Sequence, residues 1–400
     1  MEQSKATQRR VCDPLRDQDA VSSIWSTLFN GLNTGKHWLL LLVRGLQHVR
    51  TTPLDRSLAI YRQMVCWDEA CLRCIVIHPT SEQLAMVTRQ DIVHLFGNWK
   101  DPPAQLQAAE QVDLYCVAFR PGTYCELAVG CAAGIYIWQN VPNILWEKRL
   151  LSHTKHIHVT SVQWNEPGTA LLSVALGSRQ IIVWAPDSGH PIRMLSATIS
   201  FLLYSPDFQI LFGACSDAGA RVYYADSRCW QIEQILEGRQ IHTADWTACS
   251  TYLLFVQKDD TNLYSVTRYA EVGVFLKPQL VWTFELVADL HEVSFFGKVM
   301  HHGQAQAIAV DPLNVYLAVI YKRQPFVLLC KILLVKHAKV RILPWEYIYC
   351  DDDQTLRNCV HYPTCMCFGH AKKDGLRMLA IGWNSGIYQV KMLNEEKYEK

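Results

Sequence analysis

The chain has almost no net charge: across 400 residues, 38 basic and 37 acidic side chains leave +1. That balance excludes bulk electrostatic attraction to nucleic acid or to an anionic membrane as the basis of function. Long apolar runs are missing too. Trp38–Val43 is the longest near the N-terminus, and Phe326–Val335 is interrupted by Lys331. Both fall far short of the roughly 20 residues that cross a bilayer. No Asn-x-Ser/Thr sequence occurs, and the opening MEQSKATQRR has no apolar signal core. These absences predict a soluble protein of a reducing cytosolic or nuclear compartment. Membrane association would come only through a partner, without insertion. The 15 cysteines show no small-scaffold spacing, and many sit in strand-like runs (Cys74, Cys116, Cys131, Cys215, Cys330), which reads as buried thiols.

Residue patterns for catalysis and cofactor binding are lacking as well. Gly31-Leu-Asn-Thr-Gly35-Lys36 has one residue too few between its glycines for a phosphate loop, and His37 replaces the hydroxyl that would hold magnesium. Cys71 and Cys74 would point to opposite faces of one strand, and no second paired-ligand motif follows at zinc-finger spacing. Cys365 and Cys367 belong to an apolar strand. The cluster His153, His156 and His158 has no adjacent carboxylate. Phe119-Arg120-Pro121-Gly122 lacks the second arginine of a phosphate clamp. No Ser/His/Asp set, nucleophile elbow or carboxylate pair stands out. The reading is of a chain that is not an enzyme, with no cofactor, no metal and no direct nucleic-acid contact.

What is present is a repeat. Val112–Trp138 (VDLYCVAFRPGTYCELAVGCAAGIYIW) and Val159–Trp184 (VTSVQWNEPGTALLSVALGSRQIIVW) share one pattern. An apolar run ends in an aromatic and a Pro-Gly turn; a second run, a small-residue turn and a third run ending in Trp follow. Further copies begin at Cys71, Thr198, Arg239, Gln304 and Cys365. The turn landmarks are 42, 46, 39, 42, 64 and 58 residues apart. Units of about 45 residues with three or four short strands are the signature of β-propeller blades. The fold class read here is all-β, a seven-bladed WD40-type propeller with a short N-terminal helical segment. Its blade markers are Phe119, Pro121, Trp138, His156, Trp164, Trp184, Pro206, Trp246, Pro312 and Trp383. The two long intervals predict loops at 268–283 and 344–357, the latter with the acidic run Asp351–Asp353.

Residues 1–16 are polar and read as a disordered N-terminus. Residues 17–56 form a helical segment, with Val21, Ile24, Leu28 and Leu32, then Trp38, Leu42, Leu46 and Val49, at helical spacing. Ile24, Trp25, Leu28, Phe29, Trp38, Leu42 and Leu46 form a candidate partner-docking face; the same side chains could instead pack on the propeller rim. The propeller spans 57–392. Ser57–Met64 (SLAIYRQM) reads as an isolated strand that closes the ring by completing the last blade, because the tail 393–400 is polar.

The repeats resemble WD repeats, although none ends in Trp-Asp: Gln139 follows Trp138 and Ala185 follows Trp184. WD repeats often carry a His bonded to an Asp in the turn before the third strand. Here His156 is in place but Ser178 stands where the Asp would be, so His156 is read as structural. Four stretches are similar to the aladin family of WD-repeat nucleoporins: Cys66–Pro79 (CWDEACLRCIVIHP), Leu151–Trp164 (LSHTKHIHVTSVQW), Leu286–Glu292 (LVADLHE) and Ala380–Val390 (AIGWNSGIYQV). The helical stretch with Trp25 and Trp38 also lies where that family has one, and the resemblance covers about residues 17–392. The segment before the helices is shorter than in the family, and the Pro/Gly-rich tail of some members is lacking. The resemblance implies a nuclear-pore scaffold, monomeric within a larger complex. It implies a transmembrane nucleoporin and other pore-complex proteins as partners, the nuclear envelope as location, and a role at the mitotic spindle poles. The alternative is a WD-repeat substrate receptor of a cullin-type ubiquitin ligase.

Overall fold

The computed structural model describes residues 7–10, 52–97, 101–141, 145–216, 219–225, 230–271, 279–295, 297–335, 339–351, 361–369 and 376–393. The elements begin with β1 (Thr7–Arg10) and α1 (Pro53–Met64). Blade 1 holds β2 (Leu72–Ile77), β3 (Leu84–Thr88), β4 (Val93–Phe96) and β5 (Ala104–Leu106). Blade 2 holds β6 (Cys116–Phe119), β7 (Glu126–Cys131), β8 (Gly134–Val141) and β9 (Leu145–Leu151). Blade 3 holds β10 (Val159–Trp164), β11 (Leu171–Ala175), β12 (Gln180–Ala185) and β13 (His190–Ser196). In blade 4 are β14 (Ile199–Tyr204), β15 (Ile210–Cys215), β16 (Ala220–Ala225) and β17 (Trp230–Ile235). Blade 5 has β18 (Ile241–Trp246), β19 (Tyr252–Gln257), β20 (Asn262–Glu271) and β21 (Gln279–Asp289). A separate hairpin of β22 (Glu292–Phe295) and β23 (Lys298–His301) precedes blade 6, which has β24 (Ala305–Val310), β25 (Tyr316–Tyr321), β26 (Phe326–Val335) and β27 (Lys339–Tyr349). Blade 7 has β28 (Pro363–Phe368), β29 (Arg377–Trp383) and β30 (Ile387–Leu393). The chain forms the expected seven-bladed, all-β propeller.

Burial explains why these runs become blades. Every residue of β7, β15, β25 and β29 is buried. A strand sandwiched between two neighbouring blades needs apolar side chains on both faces, and ELAVGC, ILFGAC and YLAVIY supply them. In the outer strand β13 all but one residue is exposed. Seven apolar clusters result, one at each boundary between adjacent blades. The cluster joining blade 7 to blade 1 contains Leu72, Met86 and Phe96 with Ala380, Tyr388 and Val390. Thr364 Oγ1 donates to Leu72 O across the same boundary, at 2.7 Å.

The turns after the inner strands add polar ties between blades. His78 Nε2 lies 3.0 Å from Thr123 O, joining blades 1 and 2. Arg120 Nε donates to Gly168 O (2.6 Å), and its Nη1 pairs with Glu126 and with Asp187 of blade 3. Asp207 N–H donates to Ser250 Oγ between blades 4 and 5, and Ala248 N–H to Asn314 Oδ1 between blades 5 and 6. Asp311 and Arg377 form a fully buried ion pair at 3.0 Å between blades 6 and 7. His78, Arg120, Asp207, Ala248 and Asp311 thus belong to the turns whose spacing revealed the repeat.

Three expectations change. Ser57–Met64 is not a strand; it lies within α1. Thr52 caps that helix, with Asp55 N–H donating to Thr52 Oγ1 (3.1 Å), Thr52 N–H donating to the Asp55 carboxylate (2.8 Å) and Pro53 at the first position. The ring is nevertheless closed from the N-terminal side, by β1. That strand runs antiparallel to β30, with Thr7 opposite Val390 and Arg10 opposite Ile387, so residues 7–10 are part of blade 7 rather than disordered. Parts of the expected loops at 268–283 and 344–357 are strand: Arg268–Glu271 belongs to β20, Gln279–Thr283 to β21 and Pro344–Tyr349 to β27, while 272–278 and 352–357 lie outside the described residues.

Candidate interaction site at the channel mouth

Six inner strands share an irregularity. Register shifts fall at the second residue of β2, β10, β14, β18, β24 and β28. A bulge turns one side chain away from the ladder, and all six bulged residues are polar: Arg73, Thr160, Ser200, His242, Gln306 and Thr364. Together they line a cavity of about 590 Å³ at the mouth of the central channel, with Ile60, Tyr61 and Met64 of α1 above them. The helix therefore lies across one end of the channel, on the face opposite the turns of the polar ties. Several bulged hydroxyls serve as inter-strand ties: Thr160 Oγ1 donates to Ser200 O (3.3 Å) and Ser200 Oγ to Ala214 O (3.1 Å). Burial lowers the His242 imidazole below its usual range, so it lines the mouth uncharged.

α1 is held by its edge. None of its residues is buried, and Leu54, Leu58 and Tyr61 form its half-buried stripe. Leu54 Cδ1 lies 3.2 Å from where a Cβ on Gly177 would be, a position whose φ of +70° also favours glycine. Tyr61 packs edge-on against Tyr115 and Trp67, at centroid distances of 5.4 and 6.2 Å. Trp67 is buried, with the Arg73 guanidinium 3.6 Å from its ring centroid; Arg73 also pairs with Asp91 (3.1 Å). Arg62 reaches Asp113 (3.0 Å), and Tyr115 Oη meets His158 Nδ1 (2.7 Å). Just beyond, Glu69 accepts from Tyr362 and Arg323, on the approaches to blade 7 and in blade 6. The Tyr362 hydroxyl, then Arg323, hold its carboxyl below the ordinary range. The segment after α1 is thereby tied across the ring.

The blade markers take structural places. Phe119, Trp164, Trp246 and Trp383 are buried strand ends, Trp184 is buried one residue before the end of β12, and Trp138 is buried within β8, where its Nε1–H donates to Gln111 Oε1 (2.9 Å). Pro121, Pro206 and Pro312 stand in the turns. His156 is buried in a chain of bonds: Trp184 Nε1–H donates to Ser173 Oγ (2.8 Å), Ser173 meets His156 Nε2 (2.8 Å), and His156 Nδ1 lies 3.4 Å from Ser178 Oγ. Burial pushes His156 down to about 4, so the ring is neutral and serves this network. His158 belongs to a different cluster, around Tyr115. The docking residues Ile24, Trp25, Leu28, Phe29, Trp38, Leu42 and Leu46 lie outside the described residues. Sequence reading missed Trp67, Glu69, Arg73 and the bulge ring. The available signals were the Trp67-Asp68 pair before the first repeat and a polar second residue in six inner strands.

Among the described residues, no group of three or more His, Cys, Asp or Glu side chains is arranged to hold a metal, and no helix is long and apolar enough to cross a membrane. Burial raises the thiols of Cys74 to about 11 and of Cys330 and Cys367 to about 12, away from reactivity. No protein-family model matches the chain. The arrangement defines a rigid ring of the kind that serves as a protein-interaction scaffold, with a helix laid over its channel.

Proposed function

We propose that this protein is a non-enzymatic scaffold subunit of the nuclear pore complex, held at the nuclear envelope by a transmembrane nucleoporin. The reading rests on the four stretches that resemble the aladin family. The observation that carries the docking mode is the chain's path. Residue 10 ends on the outer edge of blade 7 and residue 52 caps the helix at the channel mouth. The segment with Ile24, Trp25, Leu28, Phe29, Trp38, Leu42 and Leu46 is therefore anchored to the ring at both ends. A contribution to nucleocytoplasmic transport and to spindle poles belongs to the same proposal.

A tagged copy in cells provides the test. Rim staining of the nucleus is expected, and charge substitutions at Ile24, Leu28 and Leu42 should release the protein from the envelope while the purified ring keeps its melting transition. Diffuse signal with recovery of a cullin complex would overturn the pore reading in favour of a ligase receptor. Unfolding of the triple variant would make those side chains core and end the docking mode.

A further inference from the structure

Blade 6 extends a two-stranded finger past the face that carries the polar ties. β25 pairs with β26 only from Val327 to Lys331, and Ile332 N–H bonds Val315 O beside the turn (2.8 Å). Beyond that point, Ile332–Val335 and Lys339–Ile342 pair with each other. Residues directly opposed across an antiparallel pair share a face. Ile332 with Ile342 and Leu334 with Val340 make one face; Ile332 and Val340 are buried in the apolar cluster of blades 5 and 6, while Leu334, nearer the tip, is 43% exposed. Lys331 with Leu343, Leu333 with Arg341, and Lys339 belong to the other.

That second face is turned outward. Leu333 is 42% and Leu343 52% exposed, and Lys339 and Arg341 are exposed beside them. At its foot the Lys331 ammonium sits 3.2 Å from the ring centroid of half-buried Trp345. No acidic residue occurs from Lys331 to Trp345. Folding gives no reason for two leucines to stand in water among cations. An anionic lipid surface gives one, because headgroups pair with the cations while the leucines enter the acyl boundary.

We propose that this finger docks on anionic membrane through Leu333, Lys339, Arg341 and Leu343. An acidic protein fits less well. The finger projects beyond the ring face and presents alternating leucine and cation on a strand pair, which suits a planar surface and offers no groove for a helix. Contact by two leucines is peripheral and needs no spanning element, so it revises the expectation that membrane contact comes only through a partner. It stands independently of the pore assignment.

Flotation of the full chain with vesicles of phosphatidylcholine, alone or with phosphatidylserine, tests the proposal. Binding is expected only with phosphatidylserine and should weaken with salt. Lys339→Glu/Arg341→Glu should lower it at least about tenfold, and Leu333→Ser/Leu343→Ser should lower it comparably. Thermal melts should show both double variants folded. No flotation with phosphatidylserine overturns the proposal, whether or not the finger captures an acidic protein. Flotation unchanged in both double variants also overturns it.

Discussion

At the scale of single residues, the network of Trp184, Ser173, His156 and Ser178 shows how this chain seats a buried histidine in a blade without a carboxylate partner. One proton order satisfies it: Trp184 donates to Ser173, Ser173 donates to Nε2, and Nδ1–H donates to Ser178. Without a carboxylate beside it, the buried ring has no reason to take a proton, and burial drives its pKa from 6.5 to about 4. The unfolded chain takes that proton at the ordinary value. Stability from this site is therefore complete above about pH 6.5 and is lost as the pH falls towards 4, by at most about 3 kcal/mol. Ser178→Asp supplies the missing carboxylate. It should raise the His156 pKa by at least about one unit, as a charge pair does, and flatten the acid loss of stability. NMR titration of the imidazole, with urea melts at several pH values, checks this; an unmoved pKa would mean that residue 178 does not face Nδ1.

At the scale of elements, α1 is the part most dependent on local signals. Its stripe is only half-buried, so its cap contributes a large share of its order. Thr52→Ala removes the hydroxyl that accepts the Asp55 N–H and should cost about 1 kcal/mol. Hydrogen exchange across 54–65 should then speed up about fivefold while β3, β7 and β25 keep their protection. Equal loss in the strands would mean that α1 is integral to the ring rather than laid upon it. The same element shows where sequence reading stopped. The Pro turns, the doubly buried second strands and the Trp ends were legible because each repeats. SLAIYRQM alternates over too few residues to separate period 2 from period 3.6, and the contrary evidence, Thr52-Pro53-x-Asp55, lay just before it. TQRR has no strand character of its own; its conformation comes from the open edge of β30, which is a tertiary fact. The bulge ring was hidden for another reason: one polar residue in an inner strand is unremarkable until six superpose at the channel mouth.

At the scale of the whole molecule, the ring has no edge in sequence where it can open cheaply, because blade 7 borrows its outer strand from the far end of the chain. Three devices meet at that closure. The apolar cluster of Leu72, Phe96 and Tyr388 joins the blades, Thr364 ties their inner strands, and β1 covers β30. The first two lie within the blades and survive truncation. Deleting residues 1–10 removes only the third and leaves β30 as an unpaired edge, a template for other chains. Four cross-strand pairs are lost. At a few tenths to 1 kcal/mol each, the expected destabilisation is about 1–4 kcal/mol. The truncated protein should melt lower and self-associate at high concentration, as scanning calorimetry and light scattering would show. Deleting 11–51 behind a flexible linker that still spans from residue 10 to residue 52 should spare stability, because both anchors remain. If instead the first deletion leaves the melting temperature unchanged, the ring is closed by blade-to-blade packing alone, and β1 is a passenger on its last strand.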